Sequence, residues 1–255
     1  MNIVIIGTGN VATVLGRKFR EAGHHIIQVA GRNEAATSSL AIEWKTTYTT
    51  KLDSVNTGAD IIVIAVSDSA IEELALQLKL PGCVVAHTAA SVSKKILEPI
   101  SPHYGVFYPL QSLRKDMEKI PDIPILYDGS DEKAINLLEQ LAKSISMTPA
   151  VRADDDVRLK LHVAAVIVSN FSNYLYTVAE EYCYKEGLNF QLLLPLIEET
   201  AVRIREISPG KVQTGPAIRH DDETLHKHIA LLEKYLELKK LYGFISDSIV
   251  SKKII

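Results

Sequence analysis

The chain has 255 residues, 47% hydrophobic and 23% charged, with a formal net charge of −3. This is an ordinary globular composition, enough for one large or two modest domains, and it excludes the basic excess of a nucleic-acid footprint. Lys and Arg are scattered, no apolar run is long enough to span a membrane, and no basic leader precedes MNIVIIGTG, so a cytoplasmic protein with no membrane partner is expected.

In chain order, Asn2–Ile6 reads as a β-branched strand and Asn10–Ala22 as a helix. His25–Ala30 is a second strand, Glu34–Glu43 a second helix, and a weaker strand lies near Thr46–Tyr48. Asp60–Val66 is too apolar for a one-sided sheet and reads as a central strand buried on both faces. Helix Ser69–Leu78, strand Cys83–His87, short helix Lys94–Glu98 and strand Gly105–Tyr108 follow. Ile123–Tyr127, Glu132–Ser144 and Met147–Val151 add a strand–helix–strand unit. Such alternation implies an α/β domain with a doubly wound, mostly parallel sheet over residues 1–152. Residues 153–255 carry no strand signal and read as an all-α domain: Asp154–Gly187, Phe190–Ile207 with Pro195 in its first turns, a Gly/Pro loop over Ser208–Arg219, and an amphipathic helix Asp221–Lys239 with Leu225, Ile229, Leu232 and Leu236 on one stripe. Cys83 and Cys183 stand apart and no Cys/His cluster occurs, so neither a disulfide framework nor a metal site is expected. His226 and His228 are two apart on a helix, about 200° around it, and do not form a ligand pair.

Gly7-Thr8-Gly9-Asn10-Val11-Ala12 lies between the first strand and the first helix. This is the GxGxxA form of the Rossmann dinucleotide fingerprint. Gly7 permits the tight turn, Gly9 lets a pyrophosphate reach the backbone, and Ala12 keeps the helix close to the sheet. The helix N-terminus offers free N–H groups and a positive dipole end. The second strand runs into Arg32-Asn33, where NAD sites place an acid for the ribose 2′-hydroxyl. A guanidinium suits a 2′-phosphate instead, so the expected cofactor is NADP. Past the central strand, Val66, Ser67 and Asp68 stand where open sheets bind ligands; Asp68 reads first as a helix N-cap and second as a ligand contact.

The segments GTGNVA, AVSDSAI, HTAAS, FYPLQSL (Phe107–Leu113), LHVAAVIVSN (Leu161–Asn170) and GPAIRHD (Gly215–Asp221) together resemble the Rossmann-like proteins that carry the domain of unknown function family 2520, a group of NADP oxidoreductases. The resemblance covers nearly the whole chain in motif order. It implies wider kinship with pyrroline-5-carboxylate reductase, ketopantoate reductase and the 6-phosphogluconate dehydrogenase-like β-hydroxyacid dehydrogenases, with a helical C-terminal domain that forms a homodimer. The chain departs from the pattern at Tyr108-Pro109, where members often have His-Pro, and at Ala89-Ala90, where they often have Ser-Gly. The Lys-x-x-x-Asn pair of the β-hydroxyacid dehydrogenases is absent, because Lys160 is followed four places on by Ala164.

His162 is the main catalytic candidate. At about 100° per residue it shares a helix stripe with Val166, Ser169 and Asn173, and Asn170 lies about 80° away. Polar groups on so apolar a helix are either bonded internally or face a cleft. In the second case His162 donates a proton and Asn170 orients the reacting group; the resemblance tips the balance towards that role. His87, Thr88 and Ser91 follow a strand near the expected nicotinamide end, His87 as a cofactor contact and the others, with Gln111, as substrate contacts or loop organisers. Arg219 and Asp221 open the third C-terminal helix, Asp221 as an N-cap or substrate contact and Arg219 as an anion or interface group. Tyr174, Tyr176, Tyr182 and Tyr184 read as interface or core aromatics. The leading expectation is hydride transfer between NADPH and a small carbonyl or imine in the cleft between domains. The alternatives are a non-catalytic NADP sensor and a Rossmann protein for another nucleotide, such as a reduced deazaflavin.

Overall fold

The computed structural model describes residues 1–251. The chain divides into two compact units, Met1–Asn170 and the part from Phe171 onward.

The first unit is built on eight strands: β1 (Asn2–Ile6), β2 (His25–Ala30), β3 (Thr47–Thr49), β4 (Ile61–Ile64), β5 (Val84–His87), β6 (Tyr104–Pro109), β7 (Ile125–Gly129) and β8 (Val151–Arg152). They form one sheet in the order β3-β2-β1-β4-β5-β6-β7-β8. Every neighbouring pair is parallel except β6 and β7, which run antiparallel with Phe107 opposite Tyr127. The expected doubly wound α/β sheet is therefore what forms, and the order reverses direction between β1 and β4.

Hydrophobic alternation explains why β1 and β4 lie at the centre. Ile3, Ile5, Ile61 and Val63 point to one face, while Val4, Ile6, Ile62 and Ile64 point to the other, and all are buried. Each such side chain contributes about 1.5–3 kcal/mol relative to exposure. The first face is covered by α1 (Asn10–Glu21), α2 (Glu34–Trp44) and α4 (Glu132–Ile145), through Leu15, Phe19, Trp44, Leu138 and Leu141. The second is covered by α3 (Asp68–Gln77) through Ile71 and Ala75, and by Leu97 of a 3₁₀ turn over Lys94–Leu97 that replaces the expected short helix. Asn33 and Asp131 start α2 and α4 by accepting the backbone N–H groups of Ala36 and Ala134.

This compact unit also takes in α5 (Asp155–Ala165), whose N-cap Asp154 accepts from Val157 N–H. The expected continuous helix Asp154–Gly187 is interrupted by a π-helical stretch over Val166–Phe171. The wider turn resets the angular register, so the stripe drawn from His162 to Ser169 and Asn173 does not hold beyond Val166.

The second unit is helical, with α6 (Ser172–Lys185), α7 (Leu194–Arg203), α8 (Asp222–Leu231) and α9 (Leu236–Ser251). The helix expected over Asp221–Lys239 breaks at Leu232–Tyr235. The cause is tertiary: Tyr235 donates to Glu186 at 2.6 Å, Lys234 pairs with the same carboxylate at 2.8 Å, and the Tyr235 ring stands edge-on to Tyr182. α9 then returns beside α8, with Tyr242 Oη 2.6 Å from His228 Nδ1. Among the described residues no helix is long and apolar enough to cross a membrane.

Candidate functional site

Parallel strands deliver their following loops to the same edge of a sheet. Along that edge of the first unit lies a cavity of about 990 Å³, lined from Ile6–Val11, Ala30–Asn33, Thr49–Asp53, Ala65–Asp68, Thr88–Ser91, Tyr108 and His162. From the β2 loop to the end of β6 is four strand spacings, about 19 Å, the scale of an extended dinucleotide.

The centre of the cavity is the turn after β1. Gly7 has φ +128°, and a Cβ there would sit 2.1 Å from the Ala65 carbonyl oxygen. Only glycine lets the two loops approach this closely. Gly9 is different: its backbone is extended (φ −82°, ψ −172°), and a Cβ would meet nothing within 4 Å. The space over Gly9 opens towards a ligand. As N-cap of α1, Gly9 supplies no side-chain acceptor, and no acidic residue stands in the first turn. The N–H groups of that turn are therefore left for an anion.

At the β2 end, Arg32 is 86% exposed, and its Nη1 lies 3.9 Å from Glu73 across the lip. An ion pair this open holds the guanidinium only weakly. Asn33 lines the same lip while its Oδ1 caps α2. Lys51 adds a second cation there, which sequence reasoning missed. Its signal was the weak strand β3, which the sheet order places beside β2.

At the β4 and β5 end, Val66, Ser67, Thr88 and Ser91 all line the cavity. Asp68 is not the cap of α3. Ser67 occupies the cap position without a side-chain bond, and Asp68 instead accepts from Ser91 Oγ at 2.5 Å. The helix starts one residue earlier than expected, at Asp68, and the carboxylate turns sideways onto the loop after β5. That loop is held from behind by Arg158 of α5, buried to 1% exposure, which donates to the carbonyls of Ala90 at 3.0 Å and Val92 at 2.6 Å and pairs with Asp155 at 2.9 Å.

His87 does not reach the cavity surface. It is 0% exposed, its Nδ1 accepts from Ala89 N–H at 3.2 Å, and its Nε2 has no partner among the described residues. It is the last residue of a strand buried on both faces, so it points into the core. Burial first, and the Arg158 charge second, lower its pKa from 6.5 to about 4. The unfolded chain therefore binds one proton more than the folded chain between those values, and stability falls as pH falls through that window. The loss expected is up to about 3 kcal/mol. Urea unfolding at pH 7.5 and 4.5 checks it: His87→Asn is expected to flatten this part of the acid dependence, and an unchanged slope refutes the assignment.

At the far end Tyr108 closes β6 and His162 stands on α5, both half-buried and both lining the cavity. Tyr108 Oη is 2.8 Å from His162 Nδ1, and the rings meet edge-on at 5.9 Å. Burial raises the Tyr108 pKa, with Arg158 acting in the opposite sense. This pairing was invisible in the sequence, where the two residues are 54 positions apart. Two other candidates in the first unit do not line the cavity. Gln111 is exposed; its side chain accepts from Ser112 N–H in its own turn and donates to the Asp122 carbonyl at 3.5 Å. Asn170 is exposed in the π-helical stretch. Arg219 is exposed in the second unit, where Asp221 caps α8 by accepting from Thr224 N–H, as the sequence suggested.

A Gly-lined turn at the reversal of a parallel sheet, an open helix N-terminus and a cationic lip define a Rossmann-type nucleotide-binding protein. A family model described as "NADP oxidoreductase coenzyme F420-dependent" matches residues 2–91, and one described as "Domain of unknown function (DUF2520)" matches residues 123–249. The chain is 37% identical to a "putative NADP oxidoreductase" from Bacteroides fragilis, over 98% of each chain, with a TM-score of 0.89. It therefore belongs to the NADP oxidoreductase family of that protein, whose cofactor is NADP. More distant likeness, in fold alone, extends to 1-pyrroline-5-carboxylate reductase from Streptococcus pyogenes (14% identity, 99% and 97% of the two chains, TM-score 0.67). A reductive aminase from Aspergillus terreus in complex with NADPH is similar in the same way (18% identity, 97% and 93%, TM-score 0.71). No curated protein matches the chain.

Proposed function

We propose that the chain reduces a small carbonyl or imine with NADPH, in the cavity described above. The observation that carries this reading is the Tyr108–His162 pair lining the same cavity as the Gly7–Val11 turn. A proton-bearing couple thus sits about four strand spacings from the cationic lip, where the reactive end of an extended dinucleotide would fall. The fold likeness to a 1-pyrroline-5-carboxylate reductase and to a reductive aminase is consistent with the substrate class.

NADPH supplies a hydride when bound. The chain's own residues hold and orient. The turn Gly7–Val11 presents the α1 N–H groups to the pyrophosphate. Arg32, with Asn33 and Lys51, would hold the 2′-phosphate, and Val66, Ser67 and the Thr88–Ser91 loop would line the ribose and nicotinamide end. Arg158 fixes that loop by its two carbonyl bonds. His162 donates the proton that the reduced oxygen or nitrogen needs. In functional terms we assign residues 1–152 to nucleotide binding and 153–255 to substrate handling and dimerisation, with His162 as the helical part's contribution to the cavity.

The homodimer is supported by the second unit's surface. Among its described residues the buried apolar side chains are Cys183, Ala217 and Leu232, whereas Leu192 is 77% and Phe244 73% exposed. Exposed apolar surface of this kind marks an interface. Two free cysteines suit a reducing compartment such as the cytoplasm.

The cofactor assignment at Arg32 is tested by calorimetric titration. Arg32→Ala is expected to weaken NADPH binding about 10- to 100-fold, the worth of a charge-assisted bond, and to leave NADH binding within twofold. Equal weakening of both nucleotides would remove the 2′-phosphate role.

A further inference from the structure

We infer that Tyr108 is a positioning residue that fixes His162 as the Nε2–H tautomer, leaving Nε2–H as the donor to a bound ligand. The argument is one of counting donors and acceptors. A tyrosine hydroxyl has one hydrogen to give, and a neutral imidazole has one nitrogen that donates and one that accepts. Tyr108 Oη and His162 Nδ1 are 2.8 Å apart, and neither group has another side-chain or backbone partner among the described residues. If Nδ1 carried the proton, the phenol hydrogen would have no acceptor among the described protein groups and would turn to solvent in the cavity. If the phenol donates to Nδ1, the pair is satisfied within the protein, and the proton of the neutral imidazole sits on Nε2. The burial of Tyr108 favours its protonated form and supports that direction.

The surroundings hold this arrangement. Tyr108 precedes Pro109 at the end of a paired strand, with Leu126 opposite it on β7. His162 is one helical turn beyond Arg158, whose bonds to Ala90 and Val92 anchor that face of α5. The edge-on ring contact, with planes at 83°, restricts rotation of the imidazole. The nitrogen left for a ligand is therefore always the same one, and always the donor. Tyr108 thus acts through His162 and needs no contact with the substrate.

The test is ¹⁵N NMR of histidine-labelled protein at pH 9, where imidazoles are neutral, with His162→Gln to assign the signal. The wild type is expected to show one tautomer, an acceptor-type Nδ1 and a donor-type Nε2. Tyr108→Phe is expected to move the Nδ1 signal towards its unbonded position and to average the two nitrogens. A wild-type spectrum with the proton on Nδ1, or a Tyr108→Phe spectrum unchanged from it, overturns the inference. The wild-type measurement stands alone if the variant does not fold. A kinetic arm rests on the reductase reading: Tyr108→Phe is expected to lower kcat about tenfold, the loss of one hydrogen bond, with KM within twofold. A KM effect with unchanged kcat would instead make Tyr108 a substrate contact. Because the NMR arm needs no turnover, a tautomer lock in a protein that reduces nothing would sink the reductase reading and leave this one standing.

Discussion

His162→Ala is expected to lower kcat by about 10²- to 10⁴-fold while leaving NADPH affinity within a factor of two. That range is what a positioned general acid contributes. The proposed nucleotide contacts come from the loops after β1, β2, β3, β4 and β5, whereas the side-chain hydrogen bond of His162 goes to Tyr108 on β6. The measurement is turnover against a panel of imines, 2-keto acids and semialdehydes, followed by NADPH oxidation, with binding measured separately. Addition of free imidazole is expected to restore part of the rate, because the truncated side chain leaves room in the cavity. Activity equal to wild type would remove His162 from the chemistry. Binding without turnover of any panel member, in the wild type as well, would favour an NADP-sensing role.

The second large effect separates two glycines that look alike in the sequence. Gly7→Ala forces a side chain onto φ +128° and drives its Cβ to 2.1 Å from a backbone oxygen that cannot move aside cheaply. The expected outcome is a loss of about 3 kcal/mol or more of stability and at least a 100-fold loss of NADPH affinity, as the turn shifts and its phosphate contacts go with it. Gly9→Ala meets no protein atom and keeps an ordinary backbone conformation. Its Tm is expected to match wild type within a degree or two, while NADPH affinity falls about tenfold or more, because only the ligand feels the new methyl group. Thermal unfolding and calorimetry on the same two preparations decide this. A Gly9→Ala protein that binds NADPH normally would mean the pyrophosphate does not cross that point.

Much of the first unit was legible because its signals are local. β1 and β4 are runs of Ile and Val with no polar alternation, which only a strand buried on both faces tolerates. The fingerprint turn sits between a strand and a helix a few residues apart, so its geometry follows from its own spacing. Arg32 could be placed at the cofactor lip because a β2 loop position follows from the fingerprint alone. Asp221 could be named a cap because capping involves residues three apart.

What failed or went unseen depends on distant partners. Asp68 looked like a cap, but its oxygen is claimed by Ser91 from another loop. The helix over Asp221–Lys239 carried a sound apolar stripe, yet Glu186 and Tyr182 pull Lys234 and Tyr235 out of it. The π-helical stretch displaced Ser169 and Asn173 from the His162 face, and no residue type announces such a stretch. The sequence by itself determined the sheet, its nucleotide turn and the cofactor's charge, because hydrophobic period and glycine spacing act within a few residues. Only the tertiary structure decided that His87 lies beneath the cavity floor, that Lys51 stands near Arg32, and that Tyr108 meets His162. Those positions are set by which strands become neighbours, and strand order is a property of packing the whole unit rather than of any segment in it.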